Sequence, residues 1–194
     1  MDRIAICGLM ASGKTYLADA LNQKLGYEKF SLATGVKDLG RDVFLMEGKD
    51  RKLLQQIGMK MREIDTDVWI NLLMRKVVLA QQDMKDMFLG SHLELKVVVD
   101  DCRFVNEVIA FKQAGYKIIR IHIDDDHQIN RLKNTYGKNA DQHINNRKDD
   151  SEAEMNYMND ELFDLVVQAA DDDSVVDKVL KWIIDQPTQR LSSS

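Results

Sequence analysis

Eight residues close to the amino end, Gly8-Leu9-Met10-Ala11-Ser12-Gly13-Lys14-Thr15, spell the pattern G-x-x-x-x-G-K-T. Each residue type in it suits the wrapping of a phosphate chain. The glycines let backbone N–H groups approach a polyanion closely and adopt angles that other residues resist. Lys14 supplies a point charge for the β- and γ-phosphates, and the Thr15 hydroxyl is a hard oxygen ligand for Mg²⁺. Ala11, Ser12 and Tyr16 belong to the same nucleotide-contacting run. The bland alternative is a glycine-rich strand-to-helix turn that holds nothing.

Phosphate-loop chemistry requires a strand before the loop and a helix after it, because the helix amino terminus adds unpaired N–H donors and the positive end of its dipole. Both are present. Ile4-Ala5-Ile6-Cys7 is a short, largely β-branched run, and Leu17, Ala18, Leu21 and Leu25 fall on one helical face. A second chemical feature is Asp100-Asp101, which ends the apolar run Lys96-Val97-Val98-Val99. Carboxylates at the end of a buried strand suit a magnesium site, or else they are turn residues. Arg103 follows two residues later, where a guanidinium would meet phosphate. Its bland alternative is an i,i+4 pair with Glu107.

The elements that must position these groups read in order. Tyr27 to Leu32 fits a short strand, and helical spacing covers 35–46, 51–64 and about Val68 to Met87. The strand at Lys96 to Asp101 is followed by a helix from about Asn106 to Ala114, stopped by Gly115. Tyr116 to Ile123 and Leu165 to Gln168 are further strands. Asp124-Asp125-Asp126 and Asp171-Asp172-Asp173 precede helices and read as cap and dipole partners, with a metal site as the alternative. The only proline, Pro187, lies just past the last helix, about Ser174 to Asp185, and the tail 188–194 is expected to fray. Five strands separated by helical stretches predict a parallel sheet with helices on both faces, whose ligands bind at the carboxyl ends of the strands.

The 194 residues are 44% hydrophobic and 30% charged, which suits one domain with a full core. A net charge of −5 and a pI near 5.4 argue against a nucleic-acid coat or a basic membrane-binding patch on this chain, although a local basic cleft fits inside an acidic total, so a small molecule is the expected partner. No apolar run approaches the roughly 20 residues of a membrane span, and a cytoplasmic protein is expected. Cys7 and Cys102 read as small packed residues. His92, His122, His127 and His143 show no metal-ligand spacing.

A regulatory GTPase is disfavoured, since Arg103 and Phe104 stand where D-x-x-G needs its glycine and N-K-x-D is missing; H-R-D and D-F-G are missing too. A phosphate monoester, with its second pKa near about 6, is already a nucleophile at neutral pH, and its enzyme needs cations rather than a base. The second half supplies Arg103, Arg131, Lys133, Lys138, Arg147 and Lys148. Asn134 to Asp150 is polar, basic and without apolar period, which suits either a mobile lid or a long solvated loop.

Val98 to Glu107, with its D-x-R-x-x-x-E, resembles a segment of the phage-type deoxynucleoside monophosphate kinases. So does Leu53-Leu54-Gln55-Gln56-Ile57-Gly58, followed by Arg62 and Trp69, and so does Phe30-Ser31-Leu32-Ala33 with Lys37. The resemblance spans most of the chain in order. It implies a three-layer α/β/α P-loop kinase fold with a five-stranded parallel sheet, monophosphate-binding helices over about 33–90 and a lid over about 127–152, all in one domain, 1–194. Carried over, it implies that Lys14 and Thr15 bind ATP and Mg²⁺, that Asp101 is the carboxylate near the metal, and that Arg103, Lys37, Arg51 and Arg62 hold the acceptor phosphate. Gly58, Trp69 and Glu107 belong to the implied substrate site, and Arg131 and Arg147 to the lid. Two features depart from this pattern. The section before Gly58 is short, and Asp149 to Glu152 with Phe163-Asp164 also resembles animal-type phosphomevalonate kinases of the same superfamily.

The expected activity is thus ATP- and Mg²⁺-dependent transfer to a nucleoside monophosphate, with a deoxynucleotide as acceptor. The alternatives are a kinase of another small phosphorylated metabolite and a regulatory module that binds nucleotide without transfer. A homodimer and a viral origin, which would put the protein in a host cytoplasm, stay open.

Overall fold

The computed structural model describes residues 1–87, 94–145 and 150–186. Five parallel strands form one sheet: β1 (Arg3–Gly8), β2 (Glu28–Phe30), β3 (Val97–Cys102), β4 (Lys117–His122) and β5 (Leu165–Gln168). Their order is β2-β3-β1-β4-β5. The central strands carry continuous apolar runs because both faces are covered: Ile4 to Cys7, Val97 to Val99 and Ile118 to Ile119 are fully buried.

The helices are α1 (Lys14–Leu25), α2 (Leu32–Phe44), α3 (Arg51–Ile64), α4 (Val68–Met87), α5 (Val105–Gln113), α6 (Asp125–Tyr136), α7 (Ala140–Asn145), α8 (Asp150–Tyr157) and α9 (Ser174–Asp185). From β1 the chain crosses to β2 in one direction, whereas β3 to β4 crosses back over β1 in the other. Right-handed crossovers therefore put α1 and α5 on opposite faces of the sheet, giving three layers. A ligand crevice belongs at the carboxyl end of β1, where the crossovers diverge.

The elements fall close to the sequence reading except between α6 and β5, where the spacing does not foretell α7 and α8. The polar stretch after Asn134 is not a loop where it is described. It finishes α6, passes through a 3-10 turn at Gly137–Asn139 and forms α7. Its packing rests on Leu132 and Ala140, both buried, and on a ring stack between Tyr136 and His143. These contacts have no apolar period to betray them. Arg147, Lys148, Pro187 and the tail 188–194 lie outside the described residues.

Candidate active site

The loop between β1 and α1 has the backbone its glycines foretell. Gly8 has φ +152°, and a Cβ there would lie 2.6 Å from the Ile121 carbonyl oxygen and 2.7 Å from Ser12 Oγ. Gly13 has φ +101° and is the N-cap of α1. No side chain caps that helix, and its first turn holds no acid. Its first N–H groups are thus left for an anion, with the dipole's positive end behind them. Ala11 is left-handed as well (φ 62°). Its carbonyl accepts from Arg131 Nη1 at 3.0 Å. Lys14 Nζ donates to the carbonyls of Gly8 and Leu9, both at 2.7 Å, so the ammonium is stored across the mouth of its own loop.

The two strand-end carboxylates have separate partners. Successive residues of a regular strand face opposite sides of a sheet. Here the register between β1 and β3 shifts from Ala5↔Val99 to Cys7↔Cys102, which inserts one extra residue in β3 beside Ile6. A bulge re-aims side chains, and both Asp100 and Asp101 line the same cleft. Asp100 lies beside the Thr15 side chain; burial and then the charge of Asp101 raise its pKa, and the nearby Thr15 hydroxyl, Lys29 and Lys14 oppose the rise. Asp101 turns away to the amino end of α2. It accepts from Ser31 Oγ at 2.6 Å, Leu32 N at 2.9 Å and Ala33 N at 2.8 Å. Of the two, Asp100 is the one placed beside the expected magnesium ligand Thr15.

Cys7 and Cys102 are free, buried neighbours across that shifted register. Burial, followed by its contact with Cys7, pushes the Cys102 thiol up, which keeps it protonated and unreactive. The reading of both as packed residues agrees with this.

A cleft of about 1230 Å³ opens over the carboxyl ends of the strands. Lys14, Thr15 and Tyr16 line it on the loop side, and Lys37, Arg51 and Arg103 are brought to the same space from α2, α3 and the turn after β3. Lys29 and Lys49 join them, unnoticed in the sequence because no motif marks them. The volume exceeds the roughly 300–1,000 Å³ of a site for one small ligand and accommodates two.

Gly58, Arg62, Trp69 and Glu107 are gathered elsewhere, behind the cleft wall. Glu107 is buried and accepts from Arg103 N at 2.7 Å, Phe104 N at 3.1 Å and Arg62 Nη2 at 3.1 Å. Arg62 lies over the Phe104 ring at 4.5 Å and donates to the Gly58 carbonyl, to which Trp69 Nε1 also donates at 3.2 Å. This network shapes the turn that carries Arg103. The suggested i,i+4 side-chain pair is replaced by a bond from the Arg103 backbone N–H, because Glu107 sits at the third position of α5 and folds back to cap it.

The acidic triplet after β5 does more than cap α9. Asp172 does so, accepting from Ser174 N at 3.0 Å. Asp171 takes Arg131 Nε at 2.8 Å and His127 Nε2 at 2.9 Å, and Asp173 takes the Tyr16 hydroxyl. Arg131 thereby ties α6 to the loop on one side and to the β5 exit on the other. It lines the cleft, whereas Lys133 and Lys138 do not. Among the described residues no cluster of three metal-type side chains occurs at either acidic triplet.

No curated protein matches the sequence significantly. Solved structures of the same architecture include an uncharacterized protein from Eubacterium ventriosum, 16% identical, with 96% of this chain and all of that one aligned at a TM-score of 0.57. A sugar kinase from a Janibacter species is 11% identical over 95% of each chain, with a TM-score of 0.53. The shikimate kinase of Bacteroides thetaiotaomicron is 15% identical over 94% of this chain and 98% of its own, with a TM-score of 0.52. The fold is therefore the three-layer P-loop kinase fold. Residues 4–156 match the family described as an AAA domain (AAA_18), and with the phosphate loop at Gly8 to Thr15 inside that span the chain belongs to this P-loop family.

Proposed function

We propose that the protein is a kinase that moves the γ-phosphoryl group of ATP, with Mg²⁺, onto a nucleoside monophosphate. The observation that carries this reading is a second group of cations, Lys37, Lys49, Arg51 and Arg103, in the same cleft as the phosphate loop. A nucleotide-binding switch needs one phosphate site. An enzyme that brings two anions together needs charge for both.

The residues present fit ATP and a divalent ion. The uncapped start of α1 and its acid-free first turn suit the phosphates. The adjacent Thr15 hydroxyl and Asp100 carboxylate offer the hard oxygen ligands that Mg²⁺ prefers. A metal held there would offset the negative charge that develops on the transferring phosphoryl group. Lys14 would leave the Gly8 and Leu9 carbonyls for the transferring group. Arg103, Lys37, Arg51 and Lys49 would hold the acceptor phosphate in line, while Arg131 steadies the loop. Such a reaction runs on positioning and charge stabilisation and asks for no general base. Arg62, Gly58, Trp69 and Glu107 serve it from behind, by fixing Arg103. Asp101 serves it by fixing the start of α2.

The test is ADP formation by the purified chain with ATP and Mg²⁺ against a panel of deoxy- and ribonucleoside monophosphates, with phosphomevalonate and no-acceptor controls. ADP that depends on one or a few nucleoside monophosphates is expected. ADP only with phosphomevalonate would move the acceptor and keep the kinase. Nucleotide binding without transfer to any acceptor would sink the proposal.

A further inference from the structure

His143 of α7 meets Arg51, the first residue of α3, at 3.0 Å between Nδ1 and Nη1. A guanidinium has only donors. His143 must therefore present a lone pair on Nδ1, which makes it the neutral imidazole with its proton on Nε2. The ring is also stacked on Tyr136 of α6, with centroids 3.5 Å apart and planes 9° from parallel. Both Arg51 and Tyr136 line the cleft, on elements 92 and 7 residues away from His143 in sequence.

We propose that neutral His143 is a positioning residue for the acceptor site: it fixes the Arg51 guanidinium by accepting from it, and joins α3 to the α6–α7 segment across the cleft mouth. This rests on the kinase reading of that cleft. Among the described residues the Arg51 side chain makes no other hydrogen bond, and it lines the cleft, so its remaining N–H groups are left for an acceptor phosphate. When Nδ1 takes up a proton, the acceptor lone pair is lost and two cations stand in contact. The clasp then opens and Arg51 loses its orientation. Among the described residues, the charged and titratable groups facing His143 are Arg51 from α3, Lys49 from the α2–α3 connection and Tyr136 from α6. Burial first, then the Arg51 and Lys49 charges, depress the histidine pKa, so the neutral form prevails at neutral pH and the clasp fails only in acid.

Two measurements test it. The first, nitrogen NMR of the imidazole, needs no acceptor. It should report unprotonated Nδ1 at neutral pH and a depressed pKa that rises toward the ordinary value in Arg51→Met. The second follows acceptor KM against kcat from about pH 7.5 downward through the His143 pKa that the NMR titration reports. His143→Phe keeps a ring to stack but has no acceptor, and His143→Asn keeps an acceptor that does not titrate. A lost charge-assisted bond should raise the acceptor KM of His143→Phe about tenfold at about pH 7.5, with kcat little changed. The acceptor's own second ionisation, near about 6, acts equally on every protein compared. Wild type should therefore show a further rise in acid, absent from His143→Phe and His143→Asn. Parallel KM profiles for wild type and both variants, or a His143 pKa indifferent to Arg51→Met, would overturn the clasp. Failure of every acceptor would remove the kinase reading and leave the NMR arm to decide the clasp.

Discussion

Lys14 is buried, yet its charge is satisfied by two carbonyls of its own loop. Deleting the side chain leaves backbone acceptors of its own loop, and Asp100, on which its charge also acts, keeps Thr15 and Lys29 beside it. Lys14→Ala should therefore melt within a few degrees of wild type while turnover falls by about 10²-fold or more, the scale on which one charge-stabilising group acts; circular dichroism and ADP release check both halves, and a near-normal rate would remove the lysine from the chemistry. The loop residues were legible because phosphate wrapping constrains consecutive positions. The neighbouring carboxylates were legible as a pair but not individually. The extra residue in β3 decides which one meets Thr15, and nothing in Val99-Asp100-Asp101-Cys102 announces a bulge. Glu107 carried a motif position but not its role, since Arg62, its partner, lies 45 residues away.

Elements were read well where burial writes a period. The helices at 51–64 and 68–87 and the strand Leu165–Gln168 have the bounds their spacing suggests. They were read poorly where polar side chains do the holding, as in α7. Another such place is the entry to β5. Arg120, almost fully buried in β4, donates to the Met158 carbonyl and to Asp160 Oδ1, each at 2.9 Å, and so anchors the chain just beyond α8. Asp164 then accepts from Ile118 N at 2.9 Å and pairs with Lys117 at 2.7 Å. Partial burial pushes the Asp164 pKa up, but the Ile118 N–H and the Lys117 charge outweigh it, leaving the folded-state value below the ordinary 3.8. A carboxylate with a depressed folded-state pKa stabilises the protein above its unfolded pKa and loses that contribution as pH falls through the folded one. Asp164→Asn should therefore cost about 1 kcal/mol at neutral pH, the worth of one such bond. Urea unfolding of both proteins should show the gap narrowing below pH 3.8, where wild type protonates. A gap independent of pH would mean that the carboxylate charge contributes nothing.

At the scale of the molecule, charge is sorted rather than spread. The chain carries a formal −5, yet its cleft is lined by seven lysines and arginines against five aspartates. The aspartates are themselves divided: Asp171, Asp172 and Asp173 stand at the β5 exit beside Tyr16 and Arg131, while Lys37, Lys49, Arg51 and Arg103 line the cleft from α2, the α2–α3 connection, α3 and the turn after β3. A net acidic chain repels anions on the whole, the excess of cations lining this opening draws them in, and low-dielectric walls concentrate the field inside it. Salt at about 0.15 M screens exposed charges beyond roughly 8 Å, so capture of anionic substrates should weaken as ionic strength rises. The two substrates should respond unequally. The donor meets carboxylates beside its cations and has backbone N–H groups that salt does not remove, whereas the acceptor depends on side-chain charge. Between about 0.02 and 0.2 M salt, kcat/KM for the acceptor should fall several-fold, more than kcat/KM for ATP, with kcat little altered. Steady-state kinetics at saturating co-substrate give both slopes. Equal slopes would mean that the cations act only at contact range, and a steeper slope for ATP would exchange the two ends of the cleft.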